Sequence, residues 1–336
     1  MAELIREKGS KNLKAAYGYA TGGEVINDFD SKYPWVKIEY ITDADGNKWT
    51  RIFKFYTNYV LDEEGHIKAR YISEYEIDEN WHLNPIFIDA NGRELAYIDI
   101  AAYQTALDGG RIVSKSGVAP LVNKTIQEIR DYVSVYNTFD SEFEYSLFNI
   151  WTSILEQDLF LVEFANSNTS EVLRGCGYNS WKNGLKATGA TDNIEYATGT
   201  RNASAQENGS DPMKYRGIEN MIGNGRLVLD GIKVDGGKIY VSYDNSTYID
   251  SGLIAPDGSG RIHKLSFNKN SKLVFPGVID KTGSYGDRYM GNDDSNQIVL
   301  RGYLDQEGAG LFATVFTSET SSNKYNTYRM IRRPKY

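Results

Sequence analysis

The stretch that most constrains this chain is Tyr215 to Gly231, YRGIENMIGNGRLVLDG. A cation, an acid and two asparagines are interleaved with glycines, and the run then passes directly into Leu227, Val228 and Leu229. Gly217, Gly223 and Gly225 permit positive φ or close backbone approach. So irregular a loop leaves peptide groups unpaired, and Arg216, Glu219, Asn220 and Asn224 are the side chains able to bond them. The segment therefore reads as a rigid elbow feeding a buried strand, with Arg216, Gly217, Glu219, Asn220, Gly223 and Asn224 as its structural residues.

Strands are expected on both sides of the elbow. From Tyr33 to Ile100 the runs WVKIEYI, WTRIFKFYTNYVL, IKARYISEYEI, IFI and ELAYIDIAAY are separated by DADGN, DEEGH, DENWHLNP and DANGR, which is the pattern of successive hairpins. In DADGNKW, Gly46 falls too early for a calcium loop and no glutamate closes it, so a β-turn is expected there. Thr125 with Glu128, and Ser141 with Glu144, spell capping boxes ahead of apolar residues at helical spacing. They predict two helices, the second reaching about Phe164, with Trp151 and Trp181 in the core. Residues 166–214 are polar and glycine-rich and read as a long excursion of loops. Beyond the elbow, GIKVDGGKIYV turns at Asp235, Gly236 and Gly237. Further strands are expected at HKLSF and KLVFPGVI, IVLRGYL should pair with LFATVFT, and TYRMIRR should be the last strand. The fold class is thus α+β, antiparallel strands with two helices.

The net charge of −8 argues against an electrostatic grip on nucleic acid or an anionic membrane, and no apolar run approaches a membrane span. Cys176 is the single cysteine, which excludes an internal disulfide framework and a multi-cysteine metal site. The charged start, MAELIREKGSKNLK, lacks a signal-peptide core, so synthesis in a host cytoplasm is expected. His66, His82 and His263 are far apart, and no nucleophile elbow, phosphate loop, zinc spacing or dinucleotide fingerprint is present. Asn292, Asp293, Asp294 and Asn296 offer oxygens to calcium but read as a solvated loop. No catalytic residue, metal or cofactor is expected. Tyrosine is abundant, 25 copies beside 13 phenylalanines, and tyrosine with glycine and asparagine favours recognition surfaces.

The elbow's R-G-I-E-N-x-x-G-N, followed by a hydrophobic strand and D-G-I, resembles phage virion proteins with a C-type-lectin or formylglycine-generating-enzyme-like (sulfatase-modifying-factor-like) fold, found in tail or head fibres and diversified receptor-binding proteins. The likeness continues in order through Lys54, Phe55 and Tyr56, then WHLNPIF (Trp81 to Phe87), YQTALDGGRIVSKSGVAP (Tyr103 to Pro120), GAGLF (Gly308 to Phe312) and Tyr328 to Arg332. Ile222 and Leu227 stand where the family carries tryptophan, and Asn84 where it has a second histidine, so the resemblance bears on the fold more than on a site. It implies one lectin-like domain over 31–336, preceded by an arm of residues 1–30 that attaches to other virion proteins or sister subunits. It further implies a virion protein, a fibre or receptor-binding component that engages a host surface glycan or protein, in a homo-oligomer with a trimer favoured. By region, the expected receptor contacts are Tyr285, Tyr289, Asn292, Tyr303, Asn323, Tyr325 and Asn326. The rival expectations are a purely structural head-decoration or fibre-base protein, and an envelope-degrading glycosidase.

Overall fold

The computed structural model describes residues 2–6, 13–15, 29–164, 166–173, 175, 184–194, 198–200, 212–244, 246–283, 285–291, 295–302 and 309–335. Its architecture is mainly antiparallel α+β. A five-stranded sheet runs Phe143–Leu147, Met330–Pro334, Tyr97–Ala101, Lys48–Phe53, Glu39–Thr42. The last strand of the chain lies inside that sheet, so residues from both ends share one hydrogen-bonded layer. A second five-stranded sheet contains Ile67–Ser73 and Tyr56–Leu61, and a nine-stranded sheet is centred on Arg226–Asp235, Gln297–Arg301 and Thr314–Ser318. Among the described strand pairs, only Arg226 with Asn326 and Tyr289 with Thr314 begin parallel ladders.

Helix α1 (Ile126–Phe139) starts where its capping box predicts. Thr125 Oγ1 accepts from the Glu128 amide at 3.2 Å, and Glu128 Oε2 accepts from the Thr125 amide at 2.8 Å. Ile126, Ile129 and Val133 are its buried stripe. Thr125→Ala should cost about 1 kcal/mol, seen in urea denaturation as a lower midpoint with an unchanged slope.

The second capping box is overruled. Ser141 and Glu144 do not open a helix, because Phe143–Leu147 is a strand paired residue for residue with Met330–Pro334. Tyr145 and Leu147 alternate inward there, and Glu144 meets Arg333 across the ladder at 2.9 Å. Helix α2 (Ile150–Phe164) begins later, with Asn149 Oδ1 accepting from the Thr152 amide at 2.9 Å. The long run WTRIFKFYTNYVL likewise breaks at Lys54 and Phe55 into Lys48–Phe53 and Tyr56–Leu61, which belong to different sheets. Trp35–Lys37 and Pro85–Phe87 are single 3-10 turns rather than strand.

Helix α2 is buried on nearly every side, as its apolar sequence requires. Three acids nevertheless lie along it, and each meets an arginine from elsewhere in the chain: Glu156 with Arg301 at 2.7 Å, Asp158 with Arg70, and Glu163 with Arg216. Asp158 and Glu163 are hydrogen-bonded as well as paired, as buried carboxylates should be, whereas Glu156 has its ion-pair contact with Arg301 but no hydrogen bond among the described residues; together the contacts fix how strands and elbow seat on the helix. Trp151 is core, as expected; Trp181 lies outside the described residues. Of the expected N-terminal arm, the backbone of Ala2–Arg6 pairs with Leu13–Ala15 and with Ile67–Ser73.

Candidate functional site

The elbow combines tight turns with buried polar bonds. Met213–Tyr215 and Ile218–Glu219 form a minimal hairpin whose two central residues, Arg216 and Gly217, both have positive φ (46° and 83°), the condition of a type I′ turn. Asn220, Gly223, Asn224 and Gly225 are also left-handed, a conformation that asparagine and glycine tolerate best. Arg216 and the Tyr215 hydroxyl share the Glu163 carboxylate, Tyr215 at 2.8 Å. Asn224 donates to Gln104 Oε1 at 2.6 Å and accepts from the Lys186 amide at 2.7 Å, while Asn220 reaches the same Gln104 oxygen at 3.3 Å. Arg329, fully buried, donates to the carbonyls of Ala101 and Glu219.

Glu219 links this elbow to a distant loop. Its carboxylate accepts from the amides of Gly189 (2.9 Å) and Thr191 (2.8 Å) and from Thr191 Oγ1 (2.6 Å), and burial pushes its pKa up. The loop so held becomes one wall of a cleft of about 390 Å³. Tyr40 and Lys48, from the hairpin Glu39–Thr42 with Lys48–Phe53, form the facing wall, and Lys214 enters from the elbow. Thr50, Ala102 and Gly217 form a floor of small residues. Glycine is required at Gly217, since a Cβ there would lie 2.4 Å from Tyr40 Cε1 and 2.8 Å from Thr50 Oγ1.

Four features of the cleft are chemically notable. Tyr40 lies against Gly217 yet remains 57% exposed. The Thr50 hydroxyl is completely buried and has no hydrogen-bond partner among the described residues. Asp192 is oriented by two donors, the Tyr103 hydroxyl on Oδ1 and Ser116 Oγ on Oδ2 at 2.6 Å. Lys48 and Lys214 form no ion pair among the described residues; Lys214 Nζ meets only the Ile194 carbonyl, at 3.3 Å. Burial holds Lys214 below the usual lysine range, with Asp192 and Glu219 opposing that shift.

Compared with protein-family models and with curated proteins, the chain matches none.

The expected receptor contacts lie elsewhere, and three are withdrawn from any surface. Tyr289 is fully buried, edge-on to Phe316 at 5.6 Å with its hydroxyl on the Pro256 carbonyl at 2.8 Å. Tyr285 packs edge-on against Phe312, and Asn326 is interior beside Arg226–Asp235. The cause is tertiary cover: Arg288–Met290 lies between Ser259–Phe267 and Thr314–Ser318, so its central tyrosine points into the core. Asn323 and Tyr325 are half-buried and joined by a 2.9 Å bond from the Tyr325 amide to Asn323 Oδ1. Asn292 and Tyr303 lie outside the described residues, as do Asp293 and Asp294 of the calcium reading. A further ligand-like group, Asp62, Glu64 and His66, already holds the Lys264 ammonium, 3.1 Å from Asp62 Oδ2 and 3.2 Å from Glu64 Oε2.

The cleft residues Tyr40, Lys48, Thr50, Asp192 and Lys214 were missed by sequence reasoning. The one local signal was the Arg-Gly step at Arg216 and Gly217, which announces a turn but not the ring seated upon it.

Proposed function

We propose that the chain is a phage virion protein, a fibre or receptor-binding component with a C-type-lectin-like body that recognises the host cell surface. The ordered motif series supports the virion assignment, and two long helices packed with antiparallel sheets agree with the lectin-like fold that the series implies. The observation that carries recognition is the cleft itself: among the described residues it brings together two cations without an ion pair, an open tyrosine and an unpartnered hydroxyl, on a floor built of hydrogen-bonded loops. Such groups suit binding of a polar ligand. Turnover by paired carboxylates would need a second acid facing Asp192, and the cleft lining provides none among the described residues. In this reading the chain is made in the host cytoplasm, joins other virion proteins through residues 1–30 and works as a homo-oligomer, a trimer in the favoured form.

Purified protein should bind saturably to envelopes of the bacteria in which the particle multiplies, and fail to bind envelopes of unrelated bacteria. Equal, non-saturable binding to both would remove the reading. A second reading, a decoration protein touching only virion partners, is favoured by the apolar hollow beside α1, where Phe139 is 74% exposed and Val135 48%. It predicts no envelope binding and a stable complex with another virion protein, lost on Phe139→Asp.

A further inference from the structure

We infer that the cleft over Gly217 binds a sugar acid, a pyranose whose carboxylate pairs with Lys48 and Lys214 and whose hydroxyls meet Asp192 and the Thr50 hydroxyl. This deepens the recognition reading and rests on it for its biological setting.

The Thr50 hydroxyl is the starting point. A buried polar group without a partner is costly, and native interiors rarely keep one without a reason. None of the described residues pairs with it: Gly217 beside it has no side chain, and Thr50 sits opposite Ile100 on one flank and Tyr40 on the other. A donor or acceptor arriving from the cleft would complete it. The ligand must therefore carry polar groups on the side that reaches the floor.

The two lysines define the charge. Neither forms an ion pair among the described residues, Asp192 and Glu219 acting on Lys214 only at longer range, and both line the same cavity, so an anionic group on the ligand would find two cations to pair with. Asp192 limits how much of the ligand can be anionic. Each of its oxygens already takes one donor from the protein, which fixes the carboxylate plane and leaves lone pairs for ligand hydroxyls. One carboxylate with several hydroxyls on a single ring meets both demands. Tyr40, seated on Gly217 with its outer surface open, is placed as a platform for the ring's C–H face. A cavity of about 390 Å³ is of the size that holds small polar ligands. A neutral sugar would leave both lysines unanswered, and a bare phosphate offers no C–H face to Tyr40.

The test uses the full chain and free methyl glycosides of glucuronic, galacturonic and N-acetylneuraminic acid, with methyl glucoside, methyl galactoside and inorganic phosphate as controls, read by saturation-transfer NMR and calorimetry. At least one acid should bind saturably, about tenfold or more tighter than its neutral counterpart and more weakly as salt rises. Lys214→Gln should weaken that acid by about tenfold or more. Thr50→Val should also weaken it while leaving the melting temperature equal or higher, because it removes a hydroxyl that has no partner among the described residues. Absence of binding by all three acids, equal binding of a neutral sugar, full competition by phosphate alone, or wild-type affinity in both variants would overturn the inference. So would a drop in melting temperature in Thr50→Val, which would reveal a partner within the fold. If none of the acids binds while host envelopes do, the cleft inference falls and host recognition stands. If sugar acids bind and host envelopes do not, the cleft stands and the biological reading falls.

Discussion

Arg70→Met should destabilise the protein by about 3–5 kcal/mol at neutral pH, the range seen when one partner of a buried ion pair is removed. Arg70 and Asp158 are each 1% exposed, and the Tyr59 hydroxyl also donates to Asp158, at 2.6 Å. Burial already raises the Asp158 pKa, and among the opposing influences the Arg70 charge is the largest. Without the arginine the carboxyl climbs further above its unfolded value, so the folded variant holds a proton that the unfolded chain releases. Stability contributed by a raised pKa is complete below the unfolded pKa of about 3.9 and is lost as pH rises through the folded one. The deficit of Arg70→Met should therefore shrink on acidification from pH 7 towards pH 5, measured by urea denaturation at each pH. Arg70→Met combined with Asp158→Asn, which keeps an acceptor for Tyr59, should recover most of the loss at pH 7. A deficit of well under 1 kcal/mol that does not change with pH would mean that water reaches the pair.

What the sequence could reveal followed from how local the chemistry was. Thr125 with Glu128 made a helix start because both bonds close within one turn, and Asp235, Gly236 and Gly237 made the expected hairpin because the turn depends on its own φ values. Ser141 with Glu144 carried the same local signal and lost to Met330–Pro334, a strand from the far end of the chain. The elbow was legible as a turn-rich structure since Gly217, Asn220 and Asn224 declare their backbone geometry. Its consequence was not. Tyr40 and Thr50 face each other in one hairpin, but Asp192 and Lys214 come from separate segments, and no spacing within any one of them announces that the three converge. Tyr285 and Tyr289 show the converse: a tyrosine beside polar turn residues looks like surface until the strands covering it are known.

Over the range from about pH 4 to about pH 8 the protein should lose stability as pH rises, and Asp287→Asn should flatten much of that slope. Asp287 is fully buried at the start of Arg288–Met290, with Oδ2 accepting from the Phe312 amide at 2.7 Å. Burial pushes its pKa up to about 8, and neither the Phe312 amide nor the Arg261 charge offsets that cost. An unfolded aspartate titrates near 3.9, so between about pH 4 and about pH 8 the folded protein binds a proton that the unfolded chain does not. Stability then declines by about 1.4 kcal/mol per pH unit from this group alone, up to about 5 kcal/mol across the window, and is fully present below about pH 4. Glu163, Glu219 and Asp158 are also raised by burial and tilt the curve the same way, whereas Asp62 and Asp244 are lowered and act where pH falls below the ordinary carboxylate range. The difference between wild type and Asp287→Asn isolates the one carboxyl, because asparagine keeps an oxygen for the Phe312 amide and cannot ionise. Denaturation midpoints taken from pH 4 to pH 9 should converge at the acid end and separate towards pH 8, with the variant the more stable there. Parallel curves across the window would show that Asp287 is ionised in the folded protein, and that the contact between Arg288–Met290 and the Phe312 segment is held by charge rather than by a protonated acid.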